Sequence, residues 1–206
     1  MRIDLLRHGE CADQAWLRGR VDSELSELGW QQMQAQLACL PQSTNQTVIS
    51  SPAKRCAEFS QTISEQACSN PLVIDNRWHE RDFGVFDGLS FERVQQTYPQ
   101  ALADYLDNPF DNAIPQAETF IDFQTRIEQA WSNLIQADYQ SVLLVTHSGP
   151  MRLVLQQILG LANQQLFQME LGYAARISIE VIPTDTQPFC KLVEILQTQL
   201  PKMEQK

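Results

Sequence analysis

Three histidines occur in the 206 residues, His8, His79 and His147, and two of them directly follow apolar runs, in LLRH and in VLLVTH. Gly9 follows the first and Ser148-Gly149 the second, a composition that lets a chain turn and present amides to an anion. Arg7 stands beside His8, and SSPAKR puts Arg55 just beyond another apolar run. Two histidines and two arginines at strand ends describe a pocket for a phosphoryl group, in which guanidiniums spread the negative charge and an imidazole attacks phosphorus. A cation beside His8 disfavours the imidazolium form, so its ring is expected to be neutral and nucleophilic. The main chemical alternative is a metal site, but the chain has no HExxH and no paired-cysteine spacing. It also has no Walker loop and no G-x-G-x-x-G, so neither a metal nor a cofactor is expected.

Such a pocket needs elements that bring strand ends together. The runs Ile3 to Leu6, Thr47 to Ile49, Leu72 to Ile74 and Ser141 to Thr146 read as strands, and the last is apolar almost throughout. Strands apolar on both faces belong in a covered parallel sheet. Helical patterns alternate with them. Trp30, Met33, Leu37 and Leu40 follow Ser26, a candidate cap, and Met151 to Leu159 is closed by Gly160. Phe120, Phe123, Ile127, Trp131 and Leu134 form a longer stripe opened by Thr119, with Asp122 three residues on. The alternation predicts a three-layer α/β/α sandwich around a mostly parallel sheet. ARISIEVI and FCKLVEIL, separated by Pro183 to Pro188, read as a hairpin adding strands. Residues 76–117, rich in aromatics, glycine and proline, are expected to form a small, mainly helical cover over the carboxyl ends of the strands, where open α/β sheets bind ligands. Residues 201–206 read as a frayed tail.

A hydrophobic fraction of 43% and a charged fraction of 19% fit one domain over 1–206. The net charge of −10 argues against nucleic acid and anionic membrane as partners, so an anionic substrate must be held by local positive charge. Eleven of the 15 basic residues are arginine, whose planar guanidinium suits phosphate. Cys11, Cys39, Cys56, Cys68 and Cys190 include no C-x-x-C pair and read as reduced thiols. No apolar run approaches the ~20 residues of a membrane span, and a cytoplasmic protein is expected. The expected partner is a small phosphorylated metabolite; a homodimer is left open.

The segments LLRHGE, RGRVDSELSELGWQQM, SSPAKRCAEFSQTI, HERDFGVFDGLS, ETFIDFQTRI and VLLVTHSGPMRLVL, in that order, resemble the histidine phosphatase superfamily in its phosphoglycerate mutase-like branch. The resemblance implies that His8 is the phosphorylated nucleophile and that Arg7, Arg55, His147 and Ser148 surround the phosphoryl oxygens. It also implies that Glu80, in the Glu-x-x-x-Gly segment ending at Gly84, is general acid and then base. Among competing acids, Glu10 is nearest His8, yet a carboxylate against phosphate repels it, and Glu10 reads as structural. Cys11, Arg20 and Glu118 are candidate substrate-side residues; Cys11 stands where relatives carry threonine or serine, and Ala117-Glu118-Thr119 where they carry Gly-Glu-Ser. Trp16, Trp78, Phe83 and Phe86 are candidates to stack on a base, with packing as the alternative. His79 reads as structural or surface. Cys11 and Gln14 replace a serine and an asparagine of the mutases, which favours hydrolysis over mutase activity. The segments RCAEF, YLDNPFDNAIPQAETF and LFQMELGYAARISIE are similar to bacterial alpha-ribazole phosphatases. That similarity implies removal of the 5′-phosphate from alpha-ribazole phosphate or adenosylcobalamin phosphate. A broad-specificity metabolite phosphatase is the alternative, and a non-catalytic phospho-ligand module is the least favoured.

Overall fold

The structure, a computed structural model, describes residues 1–13, 15–40, 46–67 and 72–198. The expectations placed on Gln14, Cys68 and the 201–206 tail lie outside the described residues.

Six strands, β1 (Arg2–Arg7), β2 (Gln46–Ser50), β3 (Leu72–Ile74), β4 (Ser141–Thr146), β5 (Arg176–Ile182) and β6 (Phe189–Leu196), form one sheet in the order β3-β2-β4-β1-β5-β6. The first four run parallel, and the β5–β6 hairpin joins them antiparallel to β1. All six residues of β4 are buried, as a central strand covered on both faces requires. On one face, Ile3, Leu5, Val142 and Leu144 pack with Phe123, Ile127 and Trp131 of α5 (Phe120–Gln136) and with Met151 and Leu155 of α6 (Ser148–Leu159). On the other, Leu6, Val48, Leu143 and Val145 pack with Met33 of α1 (Glu27–Ala38) and with Cys56, Phe59 and Ile63 of α2 (Lys54–Ala67). The three layers follow from strands whose alternate side chains are apolar on both sides.

The helix ends follow local chemistry. The Ser26 hydroxyl accepts from Gly29 N at the start of α1, and Thr119 Oγ1 accepts from Asp122 N at the start of α5. Gly160 closes α6 in the left-handed conformation, φ 66°. Asp4, the acid inside the first apolar run, is buried on β1, where Arg176 Nη1 donates to it at 3.0 Å and the Ser178 hydroxyl also donates. A buried carboxylate is tolerable only with such partners.

Residues 76–117 hold short 3-10 turns at Asn76–Trp78 and Gly84–Phe86, then α3 (Phe91–Thr97) and α4 (Pro99–Asp107). Phe86, Val94, Leu102 and Ile114 make their own small core there, with Trp16 and Tyr105 packed against it. Among the described residues no helix is long and apolar enough to cross a membrane.

Candidate active site

The sheet's register assembles the site. Arg7 on β1 pairs with Thr146 on β4, and Ser50 on β2 pairs with Val145, so the residues that follow, His8, His147 and Ser51, emerge side by side from one edge. His8 N donates to Thr146 O at 2.9 Å and Ser51 N to Val145 O at 3.0 Å, which extends the ladder past the strand ends. The rings of His8 and His147 meet edge to face, with centroids 5.2 Å apart.

His8 is 4% exposed. Its Nδ1 lies 2.8 Å from Gly9 O, and since a carbonyl can only accept, Nδ1 carries the proton and Nε2 keeps its lone pair. Burial first, then the Arg7 and Arg55 cations, hold the His8 ring well below the usual histidine pKa of 6.5. The neutrality expected from an arginine neighbour is therefore present, but desolvation is its larger cause.

The glycine after His8 serves a different purpose from the one expected. It is not in the left-handed region. A Cβ added at Gly9 would lie 2.2 Å from Gly29 O, and one added at Gly29 would lie 2.1 Å from Glu10 O. The two glycines let the backbone of α1's first turn press against the site loop. Glu10 takes part in that docking: its Oε1 accepts from the Ser26 hydroxyl at 2.9 Å, and Glu10 N donates to Gln32 Oε1.

The two arginines are held by carbonyls rather than by acids. Arg55 is fully buried; its Nε donates to His147 Nδ1 at 3.3 Å, Nη1 to Val21 O, and Nη2 to Arg18 O and Gly19 O. Four of its five N–H groups are thus engaged, which leaves one Nη1 hydrogen without a partner among the described residues. Arg7 donates from Nη1 to Leu171 O and stacks over the Tyr173 ring at 4.5 Å, while its buried Nε has no partner among the described residues. Neither arginine is ion-paired to a carboxylate among the described residues. Two such cations beside two neutral imidazoles have the charge and donor chemistry that an oxyanion would require.

His147 differs from the simple picture of a phosphate ligand. Nε2 sits 2.8 Å from the Ser51 hydroxyl, so both ring nitrogens have protein partners, and burial followed by the Arg55 cation holds its pKa well below 6.5. His79 lies nearer the site than a structural reading suggested. Its ring stacks parallel to His147 with centroids 6.4 Å apart, its Nδ1 is buried without a partner among the described residues, and burial with the cations of Arg20 and Arg55 pushes its pKa down to about 4.

Glu80 is 8% exposed. Its Oε1 accepts from Arg81 N and its Oε2 from Gly149 N, each at 3.0 Å, which sets the carboxylate against the first turn of α6. Gly149 makes this possible, since an added Cβ would lie 2.0 Å from Glu80 Oε1. Glu80, Ser148 and Gly149 also line a cavity of about 160 Å³ whose remaining wall is half aromatic, including Phe83, Phe120 and Phe167, with Arg81 and Arg152 among the rest. Arg7, His8, Arg55 and His147 are not part of that lining. Of the four aromatics proposed to stack on a base, only Phe83 lines it; Trp78 and Phe86 are in the core and Trp16 packs on Phe91.

The other candidates are placed less centrally. Cys11 Sγ is 3.8 Å from His8 Nδ1, on the side of the ring away from the lone pair, and burial pushes its thiol pKa up. Arg20 is exposed, and its side chain comes only within 3.9 Å of Asp82. Glu118 makes a bidentate pair with Arg126. Ser51, Tyr173 and Arg126 carried no expectation. Ser51 follows a strand end as His8 does, a signal that was there to read. Tyr173 precedes β5, whose antiparallel direction brings its start to the same edge. Among the described residues no group of three or more His, Cys, Asp or Glu is arranged to hold a metal ion.

The profile of the family described as "Histidine phosphatase superfamily (branch 1)" matches residues 3–193. The chain is 25% identical over 166 residues to phosphoserine phosphatase 1 of Hydrogenobacter thermophilus, covering 78% of this chain and 77% of that one. It is 29% identical over 198 residues to a bifunctional protein of Mycobacterium tuberculosis, covering 93% of this chain but only 53% of the longer relative. The alpha-ribazole phosphatase of Shigella flexneri superposes with a TM-score of 0.81 at 19% identity, covering 94% of this chain and 96% of the other.

Proposed function

The chain belongs to the histidine phosphatase superfamily, branch 1, as a phosphatase, and from that premise we propose that it cleaves phosphate monoesters through a phosphohistidine at His8. The observation that carries this is the neutral, buried imidazole with its proton on Nδ1, held uncharged by burial and by the nearby cations of Arg7 and Arg55, neither of which is paired to a carboxylate among the described residues. His8 Nε2 attacks phosphorus, the N–P bond forms as the ester P–O bond breaks, and the Glu80 carboxyl gives its proton to the leaving oxygen. Water then enters: Glu80 takes its proton, the oxygen attacks phosphorus, and the N–P bond breaks to restore neutral His8 and release phosphate. Arg7 and Arg55 carry the oxyanion charge through both steps, with Ser148 and the His147 ring beside them.

For the ester we propose alpha-ribazole 5′-phosphate, or adenosylcobalamin 5′-phosphate, which would place the step in cytoplasmic assembly of the cobalamin nucleotide loop. In support, the cavity bordering Glu80 is walled in part by aromatic rings suited to a flat apolar base. A second reading rests on Arg152. This arginine lines the same cavity and is largely removed from solvent; among the described residues its buried Nε has no partner and its one side-chain hydrogen bond runs from Nη2 to Met169 O. A cation so placed would accept a carboxylate on the leaving group, as in phosphoserine. The test is kcat/KM for alpha-ribazole 5′-phosphate, phosphoserine and p-nitrophenyl phosphate. The proposed ester should exceed the others by at least about tenfold; a preference for phosphoserine that Arg152→Met removes would establish the second reading instead.

A further inference from the structure

Glu80 sits in a stretch without regular structure, yet the proposed chemistry needs its carboxyl held to within a fraction of an ångström. Arg126 of α5 lies behind that stretch. Its Nη1 donates to Arg77 O at 2.7 Å and to His79 O at 3.0 Å, and its Nη2 lies 3.4 Å from Glu80 O. The other edge of the guanidinium grips Glu118 with Nε–Oε1 at 2.8 Å and Nη2–Oε2 at 2.7 Å. Glu118 completes the ring from the far side: Arg81 Nε donates to its carbonyl at 3.0 Å, and Asp82 N to its carboxylate at 3.3 Å. The backbone on both sides of Glu80 is therefore tied to one ion pair, whose members are 17% and 15% exposed. The Arg126 guanidinium also lies 5.1 Å over the Phe123 ring, which itself abuts Gly149, the donor to Glu80.

We infer that Arg126, with Glu118 as its counter-ion, is the positioning residue for the proton donor, so that Glu118 acts behind Glu80 rather than on substrate. The inference rests on the reading of Glu80 as general acid. A donor held out of place matters for a leaving group that must be protonated and hardly at all for one that leaves as a stable anion. The variable to read is therefore kcat/KM, which reports the first phosphoryl transfer, on an alkyl ester (glycerol 2-phosphate) against p-nitrophenyl phosphate.

Arg126→Gln should lose about 100-fold on the alkyl ester and less than about threefold on the aryl ester. Arg126→Lys, which keeps the charge but not the fork, should recover part of the alkyl loss. In a Glu80→Gln background Arg126→Gln should cost nothing further, because its effect passes through a group already disabled. Equal losses on both esters, or losses that multiply with Glu80→Gln, would assign Arg126 a merely structural role and overturn the inference. Circular dichroism melts establish that each variant is folded at assay temperature, and if Arg126→Gln is not, the same comparison is read on Arg126→Lys and Glu118→Gln. If Glu80→Gln itself shows no dependence on leaving group, the general-acid reading falls and the positioning role with it. If Glu80→Gln shows that dependence and the Arg126 variants do not, the positioning role alone falls.

Discussion

At His8 the proposed reaction needs a lone pair on Nε2, and two features supply it: a carbonyl that fixes the proton on Nδ1 and burial that keeps the ring uncharged. The same burial acts on neighbouring Cys11, whose raised pKa keeps it a thiol at neutral pH. Iodoacetamide should therefore label exposed Cys39 well before Cys11, as peptide mass mapping over time would show; equal labelling would mean that the site loop opens. Gly149 offers a sharper prediction. The atom that a new Cβ would strike first is Glu80 Oε1, at 2.0 Å, a side-chain end rather than backbone, with Phe123 Cζ next at 3.0 Å, so Gly149→Ala should displace the carboxylate at less cost to the fold than a backbone clash. Its kcat/KM on an alkyl ester should fall about 100-fold with only a small change in melting temperature.

Among the elements, the strands and flanking helices were legible because apolar periodicity is a property of side chains. The runs ending at Leu6, Ile49 and Thr146 all became neighbouring parallel strands, which is why His8 and His147 could be expected to meet. What sequence could not reveal were interactions whose partner is backbone. Arg126 is fixed by the carbonyls of Arg77 and His79, and Arg55 by those of Arg18, Gly19 and Val21; every residue has a carbonyl, so no residue type marks those positions. Gly9 was legible as special but for a different reason, since the demand on it comes from Gly29 twenty residues away. That contact is backbone on backbone and cannot yield by a rotamer change. Gly9→Ala should destabilise the fold by about 3 kcal/mol in denaturant titration, in contrast to Gly149→Ala. Asp4→Ala, which removes a buried partner of Arg176, should cost about 3–5 kcal/mol by the same measurement, whereas a value below about 1 would mean that Glu194 alone satisfies Arg176.

Over the whole molecule, the chain carries a net charge of −10 yet gathers Arg7, Arg55 and three depressed histidines at one sheet edge. Unfolded, each imidazole titrates near 6.5; folded, all three titrate lower, His79 near 4. Above 6.5 both states are neutral at these groups and stability does not depend on them. As pH falls from about 6.5 towards 4, the unfolded chain binds protons the folded site refuses, so stability must drop. Thermal melts from pH 7 to 4.5 should show the decline, and His79→Phe should flatten part of it; an unchanged melting temperature would mean the rings are not buried neutral in solution. The most direct test of the central claim is to mix the protein with p-nitrophenyl phosphate, quench within a turnover in alkaline denaturant, and map phosphate by peptide mass spectrometry. A phosphoryl group on the His8 peptide is predicted, longer-lived in Glu80→Gln and absent in His8→Ala. Turnover with His8 unmodified, or with the phosphoryl group on another residue, would contradict it.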